Sequence, residues 1–118
     1  MNYTMLIYQT PEQIAARTDA GKKDAFWAAF LPYAKSLFDS GIVVSSAGLQ
    51  GPDAATTVKL GNGKRMVQDG PYADTKEQLG GLFIIDVPDL DTALDWASRC
   101  PPSVGEHVEV RPNLPQIR

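Results

Sequence analysis

Gln68–Val87 reads QDGPYADTKEQLGGLFIIDV. It opens as a turn, passes through a polar patch of Asp69, Asp74, Lys76 and Glu77, and ends in Leu82–Val87, the strongest strand signal in the chain. Side chains alternate along an extended backbone, so Leu82 and Ile84 share one face and Phe83, Ile85 and Val87 the other. Tyr3–Gln9 has the same two-sided character, with Met5 and Ile7 on one face and Leu6 and Tyr8 on the other. Strands of this kind belong inside a sheet, and both faces of that sheet require cover.

Downstream of this stretch, Asp89–Cys100 reads as a helix. Asp89 is placed to cap it, Asp91 suits its positive end, and Leu90, Ala93, Leu94 and Ala97 form an apolar stripe ended by Pro101-Pro102. Glu106–Arg111 alternates and reads as the last strand. Upstream, Thr56–Leu60 and Lys64–Gln68 flank Gly61-Asn62-Gly63, a hairpin signal because Asn and Gly accept positive φ. Ile42–Gln50 is a further strand. Lys22–Gly41 reads as a helix, with Phe26, Phe30, Tyr33 and Leu37 on one side and Gly41 as its stop. Pro32 predicts a kink there, or a helix that starts later. Pro11–Gly21 reads as a loop or a short helical turn.

The order is β-α-β-β-β-β-α-β. With the hairpin set aside as an elaboration, a β-α-β-β-α-β pattern remains, which is an α+β, ferredoxin-like antiparallel sheet with two main helices on one face. The other face predicts a second copy of the chain as its cover, hence a homodimer.

A length of 118 residues predicts one domain spanning 1–118. The net charge is -3, and the basic residues, Arg118 among them, are scattered rather than striped, which argues against nucleic acid as a partner. Cys100 is the only cysteine, so there is no intrachain disulfide, and no metal-ligating set stands out. Met1–Thr10 lacks the basic and apolar segments of a signal peptide, and no stretch is long and apolar enough for a membrane span. A cytoplasmic protein without cofactor is the expectation.

DGPYADTKEQLGGLFIIDVPDLDTALDWA (Asp69–Ala97), followed by VEVRP (Val108–Pro112), resembles the DGPF-domain proteins, a branch of the YCII-related family. SSAGLQGPDAATTVKL and the opening YTMLIY fit the same pattern. The resemblance implies a ferredoxin-like fold of the dimeric α+β-barrel group. For function it implies either an association with sigma-factor systems or a small enzyme using a His/Asp pair on chlorinated or hydroxylated rings. This chain has Tyr72 where the motif has Phe. Its one histidine, His107, stands in the last strand rather than in the first helix or the loop after it.

Several residues are candidates for chemistry. Asp69 either fixes the Asp69-Gly70-Pro71 turn by accepting backbone N–H groups or serves as a general base. Glu77 is a candidate ligand contact. Asp74 and Lys76 read as a surface ion pair, and Gly80-Gly81 predicts a bulge or a close approach by backbone or ligand. His107, Glu109 and Arg111 share a face of the last strand, where His107 could move a proton and Arg111 hold an anion, or where all three could simply keep an edge soluble. Tyr8 and Tyr33 offer hydroxyls or pack in the core. Cys100 reads as a small buried apolar residue. The main functional expectation is a small-molecule-binding or regulatory module linked to sigma-factor systems. The alternative is a cofactor-free enzyme doing proton transfer or elimination on a small cyclic or aromatic acid, with Asp69 as base.

Overall fold

The computed structural model describes residues 1–115; Arg118 of the scattered basic set lies outside them. Strands β1 (Asn2–Gln9), β2 (Val43–Gly48), β5 (Gln78–Asp86) and β6 (His107–Pro112) form one four-stranded antiparallel sheet in the order β2-β5-β1-β6. This is the ferredoxin-like order, and the α+β expectation holds. Helices α2 (Lys23–Asp39) and α3 (Leu90–Ser98) lie on one side of it. Tyr3, Met5 and Ile7 of β1 and Phe83, Ile85 and Val87 at β5 point into the core beneath them, as the period of two dictates. Tyr33 ties the two helices together by donating its hydroxyl to the Trp96 carbonyl at 2.8 Å.

The polar segment after β1 is a short helix, α1 (Pro11–Ala16). Thr10 accepts from the Gln13 N–H while the Gln13 side chain accepts from the Thr10 N–H, a reciprocal cap. Helix α2 is not shortened at Pro32 but runs unbroken through it. Pro32 and Ala28, whose carbonyl loses its helical donor, are both exposed, so water can replace that bond. Helix α3 is capped by Asp89, which accepts from the Thr92 N–H at 2.8 Å and its hydroxyl at 2.7 Å. Its buried stripe is corrected: Ala93 and Ala97 face the core with Trp96 half-buried beside them, while Leu90 and Leu94 stay exposed.

Strands β3 (Thr56–Gly61) and β4 (Lys64–Asp69) form a separate two-stranded ribbon that reverses at Asn62 and Gly63, with φ of 50° and 69°. A short 3-10 turn at Pro52–Ala54 precedes the ribbon.

The expected dimeric α+β barrel is corrected. The sheet is open, with β2 and β6 as its two edges and the ribbon outside it, so no strand closes a barrel. The homodimer expected from the two-sided sheet is not shown by the single chain. Leu6 and Ile84 on the helix-free face are already half-buried within the one chain. That face is also not uniformly apolar: Thr4 donates to Asn113, Arg111 pairs with Glu109, and His107 pairs with Glu77.

A candidate ligand cavity under helix α2

The expected irregularity at Gly80-Gly81 is present. Ile7 faces Gly81 and Tyr8 faces Leu79, which leaves Gly80 as the extra residue of a bulge in β5. The close approach is there too, and it comes from a side chain. A Cβ on Gly80 would lie 2.1 Å from Oε1 of Gln9 and 2.5 Å from its Cδ. The missing side chain is the seat of the Gln9 amide.

Gln9 follows the inward register of Tyr3, Met5 and Ile7 and is only 4% exposed, the one buried polar side chain among the described residues. Its Nε2 donates to the Val104 carbonyl at 3.0 Å, which fixes the orientation of the amide. Its Oε1 finds no donor among the described residues. A buried acceptor left unpaired costs about 1–3 kcal/mol, so it calls for a partner.

Gln9 and Gly80 form part of the wall of a cavity of about 190 Å³ between α2 and the helix-facing side of the sheet. Phe26, Trp27, Phe30 and Phe38 of α2 supply one wall; Phe83, Leu82 and Ser46 supply the other. An apolar cavity of about 150 Å³ is large enough to hold benzene, so a single ring fits. At the mouth lies Arg17. Its guanidinium donates to the carbonyls of Leu49 at 2.6 Å, Ile14 at 3.4 Å and Gly80 at 3.5 Å. No carboxylate pairs with it among the described residues. Burial pulls its pKa below the ordinary arginine value, as expected for a cation that has lost water without gaining an anion. Trp27 donates its ring N–H to the Arg17 carbonyl at 3.0 Å and so locks the loop to α2. Arg17, Trp27 and Gly48 also border a wider open cleft that Asp53, Asp74 and Lys76 line.

The candidates singled out from sequence stand elsewhere. Asp69 ends β4 on the ribbon, is exposed, and does not line the cavity. The turn after it is held by other groups: the Gly70 N–H donates to the Ala55 carbonyl at 2.8 Å, and the Thr57 hydroxyl donates to the Gly70 carbonyl at 2.7 Å. The rest of the polar patch is tied down by Gln78, whose Nε2 reaches the carbonyls of Ala73 at 2.7 Å and Thr75 at 3.1 Å. Asp74 and Lys76 form no ion pair. His107 and Glu77 do come together, with Nδ1 and Oε1 3.0 Å apart. Tyr8 faces His107 across the β1–β6 pair and Arg111 pairs with Glu109 on the same face. This group lies on the helix-free side of the sheet, opposite the cavity. Cys100 is buried, and burial pushes its thiol up to about 11, far from a nucleophile at neutral pH. No three His, Cys, Asp or Glu side chains gather as a metal set among the described residues, and no described helix is long and apolar enough to cross a membrane.

Gln9, Arg17 and Trp27 were not singled out from sequence. The signal for Gln9 was its place: a polar residue on the inward phase of an apolar strand. Arg17 and Trp27 gave none, because nothing local shows that a loop arginine will be carried over a cavity.

The family model for the YCII-related domain matches residues 1–115. The chain belongs to the YCII-related domain family. A curated relative is an uncharacterized protein of Rhizobium meliloti (strain 1021), 50% identical over 62 residues. That match covers 50% of this chain and 49% of the relative, so the chain aligns to about half the relative's length. Among solved structures, this YCII-related chain resembles 5-chloro-2-hydroxyhydroquinone dehydrochlorinase from Burkholderia phenoliruptrix AC1100, in complex with 2,5-dihydroxybenzoquinone. The TM-score is 0.54 at 15% identity, covering 97% of this chain and 94% of that one, a likeness of fold.

Proposed function

We propose that the protein is a small enzyme that binds a cyclic or aromatic acid in the cavity under α2 and carries out proton transfer or elimination on it with its own side chains. The single observation that carries this is the Arg17 guanidinium, without a carboxylate partner, at the mouth of an aromatic-walled cavity sized for one ring. A planar cation in partial burial prefers a planar anion, which it can grip with two parallel hydrogen bonds. The aromatic walls take the ring and Arg17 takes the acid group. A base at the rim removes a proton, and Arg17 offsets the negative charge that develops on the ring substituents. In an elimination the electron pair freed by that proton expels the leaving group as an anion. Asp53 and Asp74 line the cleft that also borders Arg17, and this scheme assigns one of them the proton. Asp69, out on the ribbon, is not used in this scheme.

The expectation of a regulatory module of undetermined activity is corrected by this reading. The family assignment together with the dehydrochlorinase fold supports the enzyme alternative instead. A single-domain, cytoplasmic enzyme acting on a small molecule is part of the same proposal.

The test is calorimetric titration with benzoate, followed by solvent-deuterium incorporation into a panel of cyclic acids read by NMR. Benzoate is expected to bind, and Arg17→Met to weaken it by about ten- to a hundredfold, the range for one charge-assisted bond. Benzoate binding that ignores Arg17→Met would sink the reading.

A further inference from the structure

We infer that Gly48 is a specificity-determining residue: its missing side chain keeps open the passage between the cavity under α2 and the neighbouring cleft, and so sets how wide a ligand can be at its acid-bearing end. The inference rests on the proposed anion site at Arg17 and goes further by assigning the opening through which that site is filled.

Cavity and cleft share three lining residues, Arg17, Trp27 and Gly48. Two of them are large and held in place. Arg17 donates to three backbone carbonyls, one of them that of Leu49, the residue after Gly48. Trp27 donates to the Arg17 carbonyl and packs edge-on against Phe26 and Phe30, with ring centroids 5.1 and 5.8 Å away. The third is a glycine, and the fold does not require one there. Gly48 ends β2 with a φ outside the left-handed region, and a Cβ there would meet nothing within 4 Å. The glycines around it differ: a Cβ on Gly81 would lie 3.0 Å from the Ala47 carbonyl oxygen, and one on Gly105 would lie 2.8 Å from Ile7. Glycine weakens a strand through chain entropy and lost packing, and at position 48 nothing steric or conformational offsets that. What the position holds is space on the cavity side. Gly48 pairs with Gly81 and Gly81 with Ile7, and paired residues share a face, so a side chain at 48 would stand on the face of the buried Ile7, toward α2. A methyl group there would enter the passage next to the anchored guanidinium, and a branched side chain would fill more of it. The predicted ligand is therefore a cyclic acid that is slim beside its acid group.

The experiment is calorimetric titration of wild type, Gly48→Ala and Gly48→Val with benzoate and 2-methylbenzoate, with a thermal melt of each protein. Gly61→Ala is the control, since a Cβ at that position also meets nothing, but Gly61 ends β3 on the ribbon and does not line the cavity. Gly48→Ala is expected to melt at or above wild type and to bind benzoate about threefold more weakly; Gly48→Val should weaken it about tenfold or more. Both losses should be larger for 2-methylbenzoate, whose methyl group sits beside the acid, and Gly61→Ala should bind as wild type does. Affinity lost while stability is kept is a pattern that a merely structural glycine does not produce. Should Gly48→Val fail to fold, Gly48→Ala carries the comparison. A Gly48→Ala protein that melts well below wild type would overturn the inference, because the fold would then need the glycine. Wild-type affinity in the Gly48 variants, with benzoate still weakened by Arg17→Met, would overturn the role of Gly48 and leave the anion site standing. Absence of benzoate binding to wild type would overturn both.

Discussion

Replacing Gly80 by alanine puts one methyl group where the Gln9 amide sits. The new carbon would lie 2.1 Å from Oε1, 2.5 Å from Cδ and 2.9 Å from Cγ, so three atoms of a buried side chain must move, not just its tip. Moving them breaks the Nε2 bond to the Val104 carbonyl. Overpacking of this kind costs about 1–3 kcal/mol. The lost hydrogen bond adds about 0.5–1.5 kcal/mol. Relief of glycine's extra unfolded-state entropy returns about 0.5–1 kcal/mol. The net is a destabilisation of about 0.5–4 kcal/mol, or a fall in Tm of roughly 2–16 °C for a chain of this size. Thermal melts followed by circular dichroism measure it. The informative partner is the Gln9→Ala, Gly80→Ala double variant, in which the methyl enters space the glutamine has vacated. It should recover part of the loss, with a coupling of about 1 kcal/mol or more. A Gly80→Ala protein that melts with wild type, or two substitutions that simply add, would refute the seating of Gln9 on Gly80.

Arg17→Lys should bind benzoate about tenfold more weakly than wild type despite keeping the charge, because one ammonium cannot reproduce a two-bond grip; a titration showing equal affinity would argue for a point-charge contact. The Cys100 thiol, raised to about 11 from an ordinary value of 9.0, favours the neutral form in the fold. Its contribution to stability is complete below pH 9 and is lost as pH rises toward 11, so urea midpoints should fall across that window, and Cys100→Ala should flatten the part Cys100 contributes. Tyr33, also held neutral by burial, continues the same trend at higher pH. Pro32→Ala restores an N–H in the middle of α2 at an exposed site; the helix gains about 3 kcal/mol and the freer unfolded chain takes back about 0.4–1, so chemical denaturation should show a net gain of about 2 kcal/mol.

Much of the fold was legible because it is written in short-range periods. The alternation of Tyr3, Met5 and Ile7 set the buried phase of β1, and the spacing of Phe26, Tyr33 and Leu37 set the buried side of α2. Asn62-Gly63 named its own turn. Pro32 by itself predicts a kinked or shortened helix; α2 is not shortened there, because Pro32 and Ala28 are both exposed and water can take up the freed carbonyl. Leu90 and Leu94 misled because α3 is turned so that Trp96, a larger body, covers that part of the core. The barrel was an inference from the resemblance rather than from any residue, and closure is a property of strand pairing that no single strand encodes. The candidate site was least legible. Asp69, Glu77 and His107 drew attention because their chemistry is visible in one letter. Gln9, Arg17 and Gly80 matter through where the chain brings them, with Arg17 and Gly80 far apart in sequence and joined only by a long hydrogen bond.

Strand β1 lies between β5 and β6, so both of its edges are paired by segments that come much later in the chain. On the ribosome this imposes a wait. After Gln9 is made, synthesis must reach Gln78 before the first of its neighbours exists, and at roughly 5–20 residues per second this is an interval on the order of 3–14 seconds. During that time Met5, Leu6 and Ile7 form an unpaired apolar segment on a nascent chain, while helix α2 and the β3–β4 ribbon, whose contacts are local, can already form. A synonymous codon change that slows translation between α2 and β5 would lengthen that exposure without altering a single residue of the finished protein, and its effect would appear as a lower soluble yield.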